Sequence, residues 1–270
     1  MSERMIWCND RVVTSQDAHV SIDDRSFLSG YGVFETLLVE RGHPFAITRH
    51  LQRLSNSARI AGIALPTTNL AEAVNELIAA NRDRIGDAGR LRITVTAGPD
   101  SRTVGNVVMT CDPQPPHPES VHLLTVPWTF NDNGPLVGAK VTSYADNLAV
   151  LNQVRAMGAD EAVMADTAGR VCECTTANVV YSFDDQLVTP TLETGCLPGV
   201  TRALLIEWGL VAEHDHPIEV LAQADEILIS SSTRALLPAH QLDERTLVIG
   251  ELGAAAAEGF RQRAADDLDP

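Results

Sequence analysis

The sequence predicts an α+β fold built as two lobes. Segments with the alternating pattern of β-strands are interspersed with segments whose apolar residues recur at helical spacing, along most of the chain. The stretch at residues 112–119 contains four prolines, which neither a helix nor a central strand accommodates. We therefore expect a small N-terminal α/β domain at residues 1–112, a proline-rich linker at 113–119, and a larger β-rich domain with helices at 120–270.

The first domain is predicted to contain strands, a turn region and two helices. The predicted strands cover residues 5–14, 33–40, 90–96 and 106–111. Glycines and serines between residues 26 and 32 predict a turn. Thr48 is suited to cap a helix that ends near Gly62, and a second helix is expected from about residue 69 to 81.

The second domain is predicted to be richer in strands. The expected strands cover residues 121–126, 161–165, 170–175, 178–183, 186–189 and 226–231, the middle four forming two hairpins. One helix is expected at 147–157, with Met157 facing inward and Gly158 ending it, and another at 199–208. From Glu258 onward we expect a frayed helix and a disordered, Asp-rich end.

The bulk composition excludes several classes of function. A net charge of −16 argues against nucleic acid and anionic membranes as partners. The chain has no run of about 18 apolar residues for a membrane span, and its first residues do not resemble a signal peptide. Five scattered cysteines are typical of a reducing cytoplasm. Cys172 and Cys174 lack the spacing and partners of a zinc site, so no metal is expected.

Three features in sequence order point to one cofactor. Lys140 is the only lysine in the sequence and follows a short extended stretch. Glu173 is the single acid in a later strand pattern, and residues 197–202 open a helix. An amine, a carboxylate and a helix N-terminus suit pyridoxal 5'-phosphate, which needs an imine partner, a pyridinium partner and a phosphate cradle.

Five segments together resemble the class-IV aminotransferases, the fold-type IV pyridoxal-phosphate enzymes. They are residues 24–36 (DRSFLSGYGVFET), 50–54 (HLQRL), 138–147 (GAKVTSYADN), 173–178 (ECTTAN) and 197–202 (LPGVTR). The segments stand in the family's order and spacing and cover nearly the whole chain. The resemblance implies a two-lobed fold-type IV architecture with pyridoxal 5'-phosphate as cofactor. It also implies a homodimer with the site near the subunit interface.

The resemblance assigns roles to individual residues. Lys140 is expected to hold the cofactor as a Schiff base and to move the substrate's α-proton, and Glu173 to contact the pyridine nitrogen. Arg53 is expected to contact the cofactor phosphate and Tyr144 the phenolic oxygen. The remaining cofactor-binding positions are Val200, Thr201, Ser232 and Asn178.

Residues that choose the substrate are less completely matched. Arg102 resembles the carboxylate-binding arginine of D-amino-acid transaminases, which carry a histidine two residues later, whereas aminodeoxychorismate lyases carry a lysine and this chain has Val104. Phe34 stands where the D-amino-acid enzymes have a tyrosine. Thr36 matches a threonine that assists proton transfer in the lyases, although plain transaminases also contain Phe-Glu-Thr.

The leading hypothesis is a transaminase that acts on small amino and keto acids. Its donor would be a D-amino acid, a branched-chain L-amino acid or an (R)-amine. The alternative is 4-amino-4-deoxychorismate lyase, which releases pyruvate and 4-aminobenzoate. A protein that binds the cofactor without turnover is a third hypothesis, disfavoured because mere binding requires neither Lys140 nor Glu173.

Overall fold

The computed structural model describes residues 3–100 and 104–270 and divides the chain into two compact units. Unit 1 extends to Pro116 and also includes Ala139–Tyr144 and Asp267–Pro270. Unit 2 comprises His117–Gly138 and Ala145–Asp266. The sequence assigns everything after residue 119 to the second domain, whereas two short segments of that region lie in unit 1. These segments join unit 1 through backbone contacts with residues far away in the sequence, which local sequence patterns do not reveal.

Within the described residues, unit 1 contains a six-stranded antiparallel sheet in the order β2-β1-β6-β5-β3-β4. The strands are Met5–Cys8 (β1), Arg11–Thr14 (β2), Gly32–Glu40 (β3), His43–Pro44 (β4), Ala88–Thr96 (β5) and Val107–Pro113 (β6). The helices are Arg25–Ser29 (α1), Ile47–Ala61 (α2), Leu70–Ala80 (α3) and Arg82–Ile85 (α4). Helix α2 packs against β3, which carries two of the candidate residues.

Two segments of unit 1 differ from what local sequence patterns predict. The predicted turn at residues 26–32 contains the short helix α1, because the Asp24 side chain accepts a hydrogen bond from the Ser26 amide and caps it. Thr48 does not cap α2. Instead, Asp269 accepts hydrogen bonds from the Thr48 amide and hydroxyl. The end of the chain that was predicted to be disordered therefore packs at the start of α2.

Unit 2 is built on a nine-stranded sheet, counted over the described residues. Its strands are Val121–Thr129 (β7), Glu161–Ala165 (β8), Val171–Cys174 (β9), Asn178–Phe183 (β10), Gln186–Thr189 (β11), Ala212–Glu213 (β12), Ile227–Ser231 (β13), Ala235–Leu242 (β14) and Arg245–Thr246 (β15). The main path runs β12-β11-β10-β13-β14-β7-β8-β9, and β9 also pairs with β10. Six of the strands therefore close into a ring around an apolar core.

Three α-helices complete unit 2, counted over the described residues: Ala145–Ala156 (α5), Val200–Glu207 (α6) and Glu251–Asp266 (α7). Met157 was predicted to face inward but is 72% exposed, because α5 ends at Ala156. Helix α7 begins before the predicted residue 258, where Glu226 accepts hydrogen bonds from its first amides. The mixture of helices and strands confirms the α+β prediction. None of the helices in the described part of the chain has the length and hydrophobicity that a membrane span requires.

Candidate functional site

The backbone of Lys140 is fixed within unit 1 by two neighbours. Its carbonyl accepts a hydrogen bond from the Phe34 amide at 3.0 Å, and its own amide donates to Ser57 Oγ on α2, also at 3.0 Å. Next in the chain, Val141 forms an isolated antiparallel bridge with Val33. The predicted nucleophile is therefore held between β3 and α2 rather than on a solvated loop.

The Lys140 amine lies against two aromatic rings. Its Nζ is 4.5 Å from the centroid of the Phe34 ring and 5.4 Å from that of Tyr144. The two rings meet edge to face, with their centroids 5.5 Å apart. Three of the sequence-predicted residues are thus brought together in unit 1, and the rings limit where the amine can point.

Arg92 completes this group and was missed by the sequence analysis. Its guanidinium carbon lies 3.8 Å from the centroid of the Phe34 ring, on the ring that Lys140 also contacts. Its Nε donates to Thr94 Oγ1 at 3.2 Å, and no carboxylate among the described residues pairs with it. Burial lowers the pKa of Arg92 below its usual value, yet a guanidinium remains charged in proteins. A half-buried cation without an ion-pair partner is a site for an anion.

Thr36 lies on the same side of the sheet as this group. It is the cross-strand partner of Arg92, and Phe34 is the partner of Thr94, so all four side chains point to one face. Arg102, which the sequence offered as the substrate-binding arginine, lies outside the described residues.

Arg53 belongs to a buried charge cluster on the other side of β3. Its Nε and Nη2 donate to Glu35 Oε1 and Oε2 at 2.8 and 2.6 Å, and His50 Nδ1 lies 2.7 Å from Oε2. Burial alone would raise the pKa of Glu35, but the charge and hydrogen bonds of Arg53, with those of His50, lower it to about 2. Glu35 therefore fixes the orientation of Arg53. The sequence analysis did not predict this role. The available signal was strand alternation, which places Glu35 on the opposite face of β3 from Phe34.

In unit 2, the predicted carboxylate is held by a hydrogen-bond network. Glu173 is 6% exposed, and its Oε2 accepts hydrogen bonds from the Leu197 amide at 2.9 Å and from Asn178 Nδ2 at 3.3 Å. Asn178 Nδ2 also donates to the Leu197 carbonyl at 2.9 Å. Asn178, predicted as a cofactor-binding residue, thus links the carboxylate to the loop before α6.

The start of α6 lies beside Asn178 and has no side-chain cap. No side chain caps Gly199, and the first amides of a helix, here at Val200 and Thr201, have no partner within the helix. A Cβ at Gly199 would lie 2.0 Å from Asn178 Oδ1, so only glycine permits this approach. Unpaired amides and the helix dipole favour an anion here.

Ser232 lies in the turn that joins β13 to β14. The Arg234 amide closes this turn by donating to the Ser231 carbonyl at 3.1 Å. The Arg234 guanidinium donates to Ser231 Oγ at 3.2 Å and to Glu161 Oε1 at 3.1 Å, and Glu161 is almost fully buried. The predicted hydroxyl is therefore presented by a turn that a buried ion pair braces.

Comparison with known proteins identifies the family. The sequence profile described as amino-transferase class IV matches residues 32–242. The chain belongs to the class IV aminotransferases. It is 30% identical to a putative branched-chain-amino-acid aminotransferase of Methanocaldococcus jannaschii, with 95% of each chain covered. It is 31% identical to a bifunctional aminodeoxychorismate lyase / D-amino acid transaminase of Mycobacterium tuberculosis, with 83% of this chain and 86% of that protein covered.

The fold agrees with that of a solved member. The crystal structure of a branched-chain aminotransferase from Thermoproteus uzoniensis with norvaline superposes with a TM-score of 0.89 at 28% identity, covering 97% of this chain and 94% of that one. The predicted fold-type IV architecture and family are thereby confirmed. Class IV aminotransferases use pyridoxal 5'-phosphate.

The groups in each unit fit the chemistry of this cofactor. Unit 1 presents an amine against two aromatic rings, and such apolar surroundings suit a lysine that reacts with an aldehyde. Unit 2 presents a buried carboxylate, an uncapped helix start and a hydroxyl-bearing turn, which suit a pyridinium nitrogen and a phosphate.

Proposed function

We propose that this chain is an aminotransferase that moves the amino group of an amino acid to a 2-keto acid. The observation that carries this proposal is the unpaired guanidinium of Arg92, which shares the Phe34 ring with the Lys140 amine. Amino acids and keto acids both carry a carboxylate next to the reacting carbon, and arginine binds a carboxylate with two parallel hydrogen bonds. The same cation favours amino acids over simple (R)-amines, which have no carboxylate.

We assign the roles from the family resemblance, and the surroundings of the residues support them. Lys140 Nζ would hold the aldehyde of the cofactor, and with substrate bound it would accept the proton from the substrate α-carbon and return it. When bound, pyridoxal 5'-phosphate supplies an electron sink for the electrons that the departing proton leaves behind. Glu173, fixed by Leu197 and Asn178, holds a proton on the pyridine nitrogen through its carboxylate.

The remaining residues bind and orient. Val200 and Thr201 donate backbone amides to the phosphate, and Ser232 donates its hydroxyl. In unit 1, Arg53 is the proposed phosphate-binding arginine, and Glu35 orients its guanidinium. Tyr144, packed against Phe34, donates a hydrogen bond to the phenolic oxygen.

Aminodeoxychorismate lyase activity is a second candidate function. Thr36 lies beside Arg92 on the face that carries Phe34, so its hydroxyl is available to assist a proton transfer. A 31% identical relative is described as both lyase and D-amino acid transaminase. Elimination of pyruvate requires the same loss of the α-proton and differs in the bond that breaks next.

Paired assays separate these functions. D-alanine, L-leucine and L-valine are each incubated with 2-oxoglutarate and the cofactor-loaded protein, and aminodeoxychorismate is supplied alone. Formation of glutamate from at least one donor supports the transaminase. Pyruvate and 4-aminobenzoate in equal amounts, without glutamate from any donor, would replace it with the lyase. No product in any assay would favour binding without turnover.

We further propose that the protein is a homodimer. Within unit 1, the apolar side chains of Ile22, Phe27 and Leu28 are 73%, 71% and 65% exposed, and the three residues lie close together along the chain. Exposed apolar patches typically mark protein interfaces. Sedimentation equilibrium should give twice the chain mass, and the double variant Phe27→Ser/Leu28→Ser should weaken the association. A monomer in both proteins would contradict this assembly.

A further inference from the structure

Three polar side chains form a row across adjacent strands of unit 2. Glu173 on β9 is the cross-strand partner of Asn178 on β10, and Asn178 is the partner of Ser230 on β13. Directly paired residues project from the same face of a sheet, about 5 Å apart from one strand to the next. The three side chains therefore lie side by side on one face, and all three are buried.

Ser230 differs from the other two in its hydrogen bonding. Glu173 and Asn178 bond to each other and to Leu197. Ser230 is only 1% exposed, so its Oγ is inaccessible to solvent. This hydroxyl has no hydrogen-bond partner in the described part of the chain. Burying a hydroxyl without a partner costs free energy. The two preceding residues of β13, Leu228 and Ile229, are apolar, so Ser230 is a polar exception on this strand.

The same face carries the open start of α6. Gly199 lies against Asn178 Oδ1, so the helix begins beside the middle of the row. The Ser230 hydroxyl is next to Asn178 and, two residues further on, the chain reaches Ser232 in the turn. Ser230 is thus at the opposite end of the row from Glu173, beside Asn178 and two residues before Ser232.

We propose that the Ser230 hydroxyl donates a hydrogen bond to the phosphate group of the bound cofactor. This inference rests on the proposed function, because it takes the ligand of this face to be a pyridine ring with a phosphate arm. Glu173 holds the ring nitrogen at one end of the row, and the hydroxyl at the other end serves the phosphate. Binding of the ligand gives this buried hydroxyl the partner that the protein alone does not supply.

The test compares ligands with and without the phosphate. Pyridoxal 5'-phosphate and pyridoxal are titrated by absorbance into cofactor-free wild type, Ser230→Ala and Thr189→Val. Thr189 is a matched control, because its buried hydroxyl lies in the same sheet but donates to the Val179 carbonyl. A hydrogen bond to a charged group predicts about a tenfold weaker affinity of Ser230→Ala for pyridoxal 5'-phosphate, or about 1.4 kcal/mol. Its affinity for pyridoxal should be unchanged.

The stability of the cofactor-free proteins provides an independent readout. Ser230→Ala should unfold in urea at no lower a concentration than wild type, whereas Thr189→Val should unfold earlier because it loses a satisfied hydrogen bond. Equal affinity of wild type and Ser230→Ala for pyridoxal 5'-phosphate would overturn the proposal. An equal loss for both ligands would also overturn it, since that indicates a general structural role. If wild type itself fails to bind pyridoxal 5'-phosphate, the proposed function fails and this inference with it.

Discussion

Replacing Glu35 with glutamine tests whether the buried charge cluster supports unit 1. The substitution keeps the shape of the side chain but leaves the Arg53 guanidinium buried without its counter-charge. The pKa of Glu35 falls from 4.5 to about 2 in the folded protein, and each unit corresponds to about 1.4 kcal/mol. The ionised carboxylate therefore contributes on the order of 3 kcal/mol. Losing one partner of a buried ion pair typically costs about 3–5 kcal/mol, which agrees.

The pH dependence has a defined sign. Because the pKa of Glu35 is lower in the folded than in the unfolded protein, its contribution is complete above about pH 4.5 and is lost as the pH falls towards about 2. Urea unfolding of wild type and Glu35→Gln should differ by about 3 kcal/mol at pH 7, with the difference shrinking below pH 4.5. Glu40→Gln, an exposed change at the end of the same strand, should be close to neutral. A Glu35→Gln protein as stable as the Glu40→Gln control at pH 7 would refute the reasoning.

Three further substitutions probe the proposed site. Arg92→Gln should raise KM for amino and keto acids by about tenfold or more, with cofactor affinity unchanged, because the cation binds the substrate carboxylate; steady-state kinetics and a cofactor titration check this. Gly199→Ala should weaken cofactor binding measured by absorbance titration, since the added Cβ would collide with Asn178 Oδ1 and displace the start of α6. Glu173→Gln should retain the cofactor but slow the half-reaction with an amino acid by about 100-fold in stopped-flow absorbance, the scale on which loss of a positioned electrostatic group acts.

Local patterns were sufficient to predict much of the fold. Periodicity and the turn residues at the ends of each segment predict strands at residues 90–96 and 178–183 and a helix at 199–208. The structure has two strands and a helix at these positions. Lys140 and Glu173 were singled out because each lies in a short contiguous motif, where neighbouring residues supply the context.

The remaining features depend on which strands pair. The position of Arg92 beside Lys140 follows from the register of β3 with β5, and a strand arginine is usually solvated, so the sequence carries no signal for it. Ser230 acquires meaning only as the partner of Asn178. Asp269 binds Thr48 across 221 residues of sequence, which explains why an Asp-rich tail was expected to be disordered.

The most direct test of the proposed chemistry is the location of the bond between protein and cofactor. The protein is loaded with pyridoxal 5'-phosphate and reduced with borohydride, and its peptides are mapped by mass spectrometry. The pyridoxyl group should be found on Lys140 and should be absent from a Lys140→Ala protein treated in the same way. Because Lys140 is the only lysine in the sequence, a label on any other group, such as the N-terminal amine, or no label on the loaded wild type, would contradict the account.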